Sequence, residues 1–164
     1  MSVAVYPGSF DPITYGHLDI VERATTLFER VVIGVLENPR KTPALPVERR
    51  IEVIRIAARE AGLSEERIAI EAFHGLTVDF CHLHDATAIV RGLRAISDFE
   101  NELQLAHNNR VLAPDIDTVF FMTAIEHSYV SSSLVREIAS FGGDVSAMIP
   151  PAAADALRTA LGHR

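Results

Sequence analysis

Apolar residues follow two alternating rhythms along this chain. Short continuous apolar runs recur between longer segments in which apolar positions repeat every three or four residues. Ser2–Tyr6 is the first run, and Pro7-Gly8 closes it, so it reads as a buried strand and a turn. A helix is expected near Gly16–Phe28, with Leu18, Val21, Leu27 and Phe28 on its inner side. Val31–Leu36 is continuous and β-branched, as central parallel strands tend to be. Glu37–Leu45 carries two prolines and two cations and reads as a loop, and Val47–Ala61 has helical spacing up to Gly62. Strand Ile68–Phe73, helix Thr77–His84, strand Thr87–Val90 and helix Ser97–Leu112 follow. Thr118–Met122 is the fifth strand, Ser131–Phe141 another helix, and Ala152–Leu161 a last amphipathic one.

Five strands separated by helices predict an α/β fold, because parallel strands need crossovers long enough to hold a helix. Right-handed crossovers make it a doubly wound, five-stranded parallel sheet of Rossmann-like type. The length, 164 residues, predicts a single domain over 1–164 that buries a core without help from disulfides or metals. Cys81 is the only cysteine, so no internal disulfide can form, and its spacing with Val78 reads as core filling. The N-terminus lacks a basic region followed by a long apolar stretch, and no run of about 18 apolar residues occurs. Neither a secretory signal nor a membrane span is expected, and the location expected is cytoplasmic. A net charge of −7 argues against nucleic-acid binding, which favours basic faces, but leaves room for a local phosphate site.

In open parallel sheets, ligands bind beyond the carboxyl ends of the strands, so the loops there are the ones to read for chemistry. After strand 1 comes Tyr6-Pro-Gly-Ser-Phe-Asp-Pro-Ile-Thr-Tyr-Gly-His17, which is neither a Walker A loop nor a GxGxxG turn. It places Gly16 and His17 at a helix start, where unpaired N–H groups and the helix dipole attract phosphate. Alone, the pair reads as a simple turn with a surface histidine, and the longer string is what makes it specific. After strand 4 comes Arg91-Gly-Leu-Arg94, followed by Asp98 and Glu102. Two arginines flanking a glycine can hold phosphate oxygens bidentately, with Glu102 orienting a ribose or an arginine. The plain alternative is a surface ion-pair ladder of Arg94, Asp98 and Glu102. After strand 5 comes His127-Ser128-Tyr129-Val130-Ser131-Ser132-Ser133. Ser131 suits an N-cap, and three consecutive serines offer more donors than capping needs. Lys41 lies beyond the end of strand 2, where a lone lysine is ordinarily just solvated. His82, His84 and Asp85 lack a zinc-like set of partners, so no metal site is expected from protein ligands.

Together the four segments closely resemble the bacterial phosphopantetheine adenylyltransferases, within the HxGH-type nucleotidyltransferase superfamily. The resemblance runs over essentially the whole chain, through YPGSFDPITYGHLDIV, RGLRAISDFENELQLAHNNR, YVSSSLVREIA and GGDVS. It implies transfer of AMP from ATP to 4′-phosphopantetheine, giving dephospho-coenzyme A and pyrophosphate, with Mg²⁺ as cofactor. It also implies a homohexamer and feedback by coenzyme A. By the same resemblance, His17 is the catalytic residue that stabilises the transition state and touches ATP. Ser9 contacts both ATP and the acceptor phosphate, Lys41 and Arg91 hold that phosphate, and Thr77 meets the pantetheine arm. Phe10, Gly92, Leu93, Arg94, Glu102, His127, Ser128, Tyr129, Val130, Ser131, Ser132 and Ser133 match the ATP site. Thr14 stands in place of the first histidine of HxGH, Tyr15 where asparagine is frequent, and Val130 where isoleucine is commoner. Asn108 and Asn109 are expected near the pantetheine channel and would make its lining more polar. Related transferases that use CTP or nicotinamide mononucleotide, and a non-catalytic nucleotide-binding module, are the alternatives that the residues leave standing.

Overall fold

In the computed structural model, residues 1–40, 42–94 and 96–162 are described, and the side chains of Ile96 and Ser97 are outside that description. The strands are β1 (Val3–Gly8), β2 (Arg30–Leu36), β3 (Ile68–Phe73), β4 (Ala88–Leu93) and β5 (Asp117–Met122). The helices are α1 (Tyr15–Leu27), α2 (Val47–Glu60), α3 (Thr77–Leu83), α4 (Ile96–Leu112), α5 (Ser132–Ser140) and α6 (Pro151–Ala160). All strand pairs are parallel, in the order β3-β2-β1-β4-β5. The chain works outward from β1 to one edge, then returns to β4 and works outward to the other. The switch point therefore lies between β1 and β4, where the carboxyl ends open a crevice.

Alternation along β1 feeds two cores. Ala4 and Tyr6 face a larger core built with α1, α2 and α6, while Val3 and Val5 face a smaller one under α3 and the turn that follows α4, with Ala113 and Ile116. Gly34 in β2 is required by the second layer: a Cβ there would stand 2.8 Å from the Phe80 ring. Phe80 stacks on Phe73 at 4.5 Å between ring centroids. Cys81 is fully buried in this smaller core, as its spacing predicts.

The differences from the sequence reading are at element ends and on one face. β4 continues through Leu93, three residues past the expected end at Val90, because all six residues pair in register with Asp117–Met122 of β5. Arg91 and Gly92 are thus strand residues rather than loop residues. Leu27 is 63% exposed instead of facing inward, since α1 ends there and Ile20 and Ala24 take the inner face with Leu18 and Val21. A single 3₁₀ turn, Ile125–His127, interrupts the segment after β5, and its three residues are too few to leave a periodic signal.

Candidate active site

The carboxyl ends of β1, β2, β4 and β5 and the N-termini of α1 and α5 surround one cleft of about 890 Å³. Its first wall is the turn from β1 into α1. Thr14 is the N-cap of α1, and its hydroxyl accepts the His17 backbone N–H at 3.3 Å. In return His17 Nδ1 accepts the Thr14 backbone N–H at 3.0 Å, which completes a capping box with histidine in the usual place of glutamate. A backbone N–H can only donate, so Nδ1 must be unprotonated, and in the neutral ring the proton sits on Nε2. The rest of the ring is fixed by Phe10, whose edge meets it at 5.1 Å and whose other contact is Tyr6 at 5.3 Å. Phe10 holds a left-handed φ of 47°, uncommon outside glycine, with its ring only 3% exposed. Burial, then Arg94, then Arg91, push the His17 pKa down to about 4. At neutral pH, His17 is a fixed, uncharged donor at the helix start.

The second wall comes from β4 and α4. Arg91 lies flat against Glu102 in a bidentate pair, Nε to Oε2 at 2.6 Å and Nη2 to Oε1 at 2.5 Å. Its Nη1 donates to the Pro7 carbonyl at 3.0 Å, which ties β4 to β1 across the switch point. Among the described residues three of its five N–H donors are used, which leaves two for a ligand. The hydrogen bonds to Glu102 and its charge hold the guanidinium firmly protonated against the cost of burial. Arg94 donates to Asp98 at 3.1 Å and to the Val130 carbonyl at 3.3 Å. The expected ladder is therefore split: Arg94 pairs with Asp98, whereas Glu102 turns inward and serves Arg91.

The third wall is the start of α5. Ser131 caps it, its hydroxyl accepting the Leu134 N–H at 3.1 Å, and Ser132 donates to the Pro12 carbonyl at 2.8 Å. The Ser133 hydroxyl accepts from Arg136, which also donates to the Asp11 carbonyl at 2.5 Å. Asp11 is 5% exposed and accepts the backbone N–H groups of Ala44 and Leu45, each at 2.8 Å. The β2–α2 loop is thereby clamped to the turn after β1.

Residues 5–138 match the cytidylyltransferase-like family model. The phosphopantetheine adenylyltransferase of Gloeobacter violaceus is 54% identical over 157 residues, covering 96% of this chain and 95% of that one. Those of Heliobacterium modesticaldum and Synechococcus sp. (strain RCC307) are 52% and 48% identical, covering 93% and 98% of this chain and 88% and 95% of theirs. This chain belongs to the phosphopantetheine adenylyltransferase family. A crystal structure from Vibrio parahaemolyticus, described as that of a candidate nicotinate-nucleotide adenylyltransferase, superposes with a TM-score of 0.70. It covers 98% of this chain and 95% of its own at 16% identity, a likeness of fold alone.

Of the family positions singled out in the sequence, Ser9, Phe10, His17, Arg91, Gly92, Arg94, Glu102, His127, Val130, Ser131, Ser132 and Ser133 all line this cleft. Leu93, Ser128, Tyr129 and Thr77 do not line it. Leu93 is core, Tyr129 is 87% exposed, and the Ser128 hydroxyl is spent on the Ile125 carbonyl at 2.7 Å. Thr77 opens α3, three residues beyond His74, which does reach the cleft. Asn108 and Asn109, both in α4, do not border the cleft either: Asn108 is exposed and Asn109 is buried on the inner side of the helix. Lys41 lies outside the described residues.

Four contributors went unnoticed in the sequence: Thr14 as a cap, Asp11, Arg50 and Arg136. Thr14-x-x-His17 has capping-box spacing with an unusual partner. Arg50 falls at helical spacing with Val47, Val53, Ile54 and Ala57, an arginine on an apolar face.

For Mg²⁺, the cleft offers few free oxygens. Both Asp11 oxygens hold loop amides, both Glu102 oxygens hold Arg91, and Asp98 holds Arg94. Among the described residues no cluster of three metal-ligating side chains occurs. That chemistry fits a magnesium ion carried in on nucleotide phosphates and waters rather than caged by protein.

Proposed function

We propose that this protein transfers AMP from ATP to 4′-phosphopantetheine, giving dephospho-coenzyme A and pyrophosphate. The observation that carries this reading is convergence on one cleft: the neutral His17 donor, the anchored Arg91 and the capped start of α5 face the same space. The acceptor phosphate attacks the α-phosphorus of ATP in line, and pyrophosphate leaves. Both substrates are polyanions, so the protein aligns and neutralises them and supplies no nucleophile of its own. An acceptor phosphate is already anionic at neutral pH, and no general base is needed.

In this reading Arg91, with Lys41 and Ser9, places the attacking phosphate, and Thr77 meets the pantetheine arm from α3. His17 donates through Nε2 to the α-phosphoryl oxygen as charge builds there. Phe10, Gly92, Arg94, His127 and Val130, which line the cleft, hold the nucleoside, while Ser131, Ser132 and Ser133 hold the pyrophosphate. Glu102 acts through Arg91. Mg²⁺ supplies charge neutralisation on the polyphosphate.

A homohexamer is proposed for the assembly. Supporting it, α4 exposes Phe99, Leu103, Leu105, Val111 and Leu112, at 37–81%, more apolar surface than a solvated helix ordinarily keeps. A cytoplasmic location fits a chain in which, among the described residues, no helix is long and apolar enough to cross a membrane. Coenzyme A, which carries the same pantetheine arm, is expected to compete for the acceptor half.

Incubation with ATP, Mg²⁺ and 4′-phosphopantetheine should yield dephospho-coenzyme A by mass spectrometry, while CTP and nicotinamide mononucleotide serve as control donor and acceptor. One phosphoanhydride is exchanged for another, so dephospho-coenzyme A and pyrophosphate should also regenerate ATP. Folded protein that forms product in neither direction would overturn the assignment.

A further inference from the structure

Arg50 is 4% exposed on the inner face of α2, beside the core residues Val53, Ile54 and Ala57. Its Nε donates to the Leu45 carbonyl at 3.1 Å, and its Nη1 donates to the carbonyls of Ser9 at 2.7 Å and Leu36 at 3.1 Å. These acceptors belong to three separate segments: the turn after β1, the end of β2 and the end of the β2–α2 loop. Nη2, with two N–H groups, makes no hydrogen bond to a described residue. No carboxylate stands within salt-bridge distance among the described residues, and Asp11, on the same loop, spends both oxygens on Ala44 and Leu45. Arg50 also lines the cleft.

A buried charge without a counter-charge is costly, and three carbonyl contacts could be satisfied by a neutral donor. The cost is recovered when an anion arrives. The other cleft arginines differ: Arg91 is matched by Glu102, Arg94 by Asp98, and Arg136 lies 3.9 Å from Asp11. Arg50 stands on the β2 side of the cleft, away from the start of α5, which is the side left for the acceptor once the polyphosphate is placed at α5.

We propose that Arg50 is a positioning residue for the acceptor phosphate, tying the Ser9 turn to the β2–α2 loop and setting an unmatched positive charge behind that phosphate. This rests on the reading of the cleft as an adenylyl-transfer site. The charge acts on the acceptor dianion, and the three carbonyl ties keep Ser9 and the loop at the separation that admits it.

The test uses the full-length protein with Arg50→Met and Arg50→Lys. In Arg50→Met, KM for 4′-phosphopantetheine should rise about tenfold or more, the scale of one charge-assisted contact, with KM for ATP changed less than about threefold. Arg50→Lys, which keeps the charge but loses the fork, should recover a large part of that rise. If both variants lose melting temperature and kcat together while both KM values stay put, Arg50 is a loop tie only and the proposal fails. Should Arg50→Met not fold, the side-chain ¹⁵N resonance of Arg50 in the unsubstituted protein decides. It should move on addition of 4′-phosphopantetheine and stay still with unphosphorylated pantetheine; an unchanged resonance with both overturns the proposal. Absence of dephospho-coenzyme A formation by the unsubstituted protein would instead remove the functional reading, and this inference with it.

Discussion

Removing the imidazole of His17 tests whether this ring acts on the transition state or only caps a helix. Its Nδ1 is committed to the Thr14 N–H at 3.0 Å, which leaves the Nε2 proton as its sole donor. A donor that meets charge developing only at the α-phosphoryl group adds little to ground-state binding. His17→Ala should therefore lower kcat by about 10²- to 10³-fold, or about 2.7–4 kcal/mol, the scale for losing one such donor. KM for ATP and for 4′-phosphopantetheine should move only a few-fold. His17→Gln, whose amide reaches roughly where Nε2 stands, should keep more turnover than His17→Ala. Stability gives the control. The capping box loses one of its two bonds, a cost of about 1 kcal/mol that circular dichroism melting will resolve. Turnover that falls only in proportion to lost folding, or stays near normal in a folded His17→Ala protein, would refute the argument.

Protonation offers an independent check, because burial, Arg94 and Arg91 hold the ring near pKa 4, below its ordinary 6.5. ¹⁵N NMR of the ligand-free protein should show His17 neutral and protonated on Nε2 down to about pH 5. By linkage, His17 is neutral in both states above pH 6.5 and costs nothing there. Between 6.5 and about 4 the unfolded chain takes up the proton that the fold refuses, so stability declines as pH falls through that window.

Arg91→Ala should raise the apparent dissociation constant for 4′-phosphopantetheine about 10- to 150-fold, for a loss of roughly 1.5–3 kcal/mol, with ATP affinity far less changed by calorimetry. Glu102→Gln, which keeps the shape but not the charge of the anchor, should show the same preference for the acceptor in weaker form. Ser131→Ala removes the cap of α5 and should cost about 1 kcal/mol, a fall in melting temperature of about 2–4 °C for a chain of this size. Gly34→Ala would put a Cβ 2.8 Å from the Phe80 ring and should destabilise the fold by about 1–3 kcal/mol, read from urea unfolding, with substrate KM values unmoved.

The alternation of strands and helices was legible because parallel strands buried on both faces read as unbroken apolar runs, and β2 and β3 were placed almost to the residue. The end of β4 was not legible. Arg91 and Gly92 look like loop residues in one dimension, and only pairing with Phe120 and Phe121 of β5 makes them strand. The segments that meet at the cleft could be named because sheet topology sends every βα loop to the same edge. What each polar residue does there could not be read, because it depends on partners far away in sequence. On spacing alone Glu102 pairs equally well with Arg94 or Arg91; in the fold it takes Arg91, bidentately, while Arg94 takes Asp98. Asp11 looks like an ordinary turn aspartate until the amides of Ala44 and Leu45 are folded onto it.

The charge distribution explains how a chain of net charge −7 can bind two polyanions. Among the described residues the cleft lining holds four arginines, Arg50, Arg91, Arg94 and Arg136, and four carboxylates, Asp11, Glu37, Asp98 and Glu102, a local balance of charge in an acidic protein. The balance is not symmetrical in what it leaves free. Asp11 and Glu102 spend their carboxylate oxygens on loop amides and on Arg91, whereas Arg91 and Arg50 each keep N–H groups unspent among the described residues. An incoming phosphate thus meets donors already held in place, Arg91 by the Glu102 carboxylate and Arg50 by the carbonyls of Ser9, Leu36 and Leu45. Had the same cations stood alone, their mutual repulsion and burial would oppose that preorganisation, and the phosphate would have to assemble its own site. Glu102→Ala separates the two cases. If the carboxylate only diluted positive charge, its removal would tighten acceptor binding; if it fixes Arg91, binding should weaken even though the cleft has become more positive.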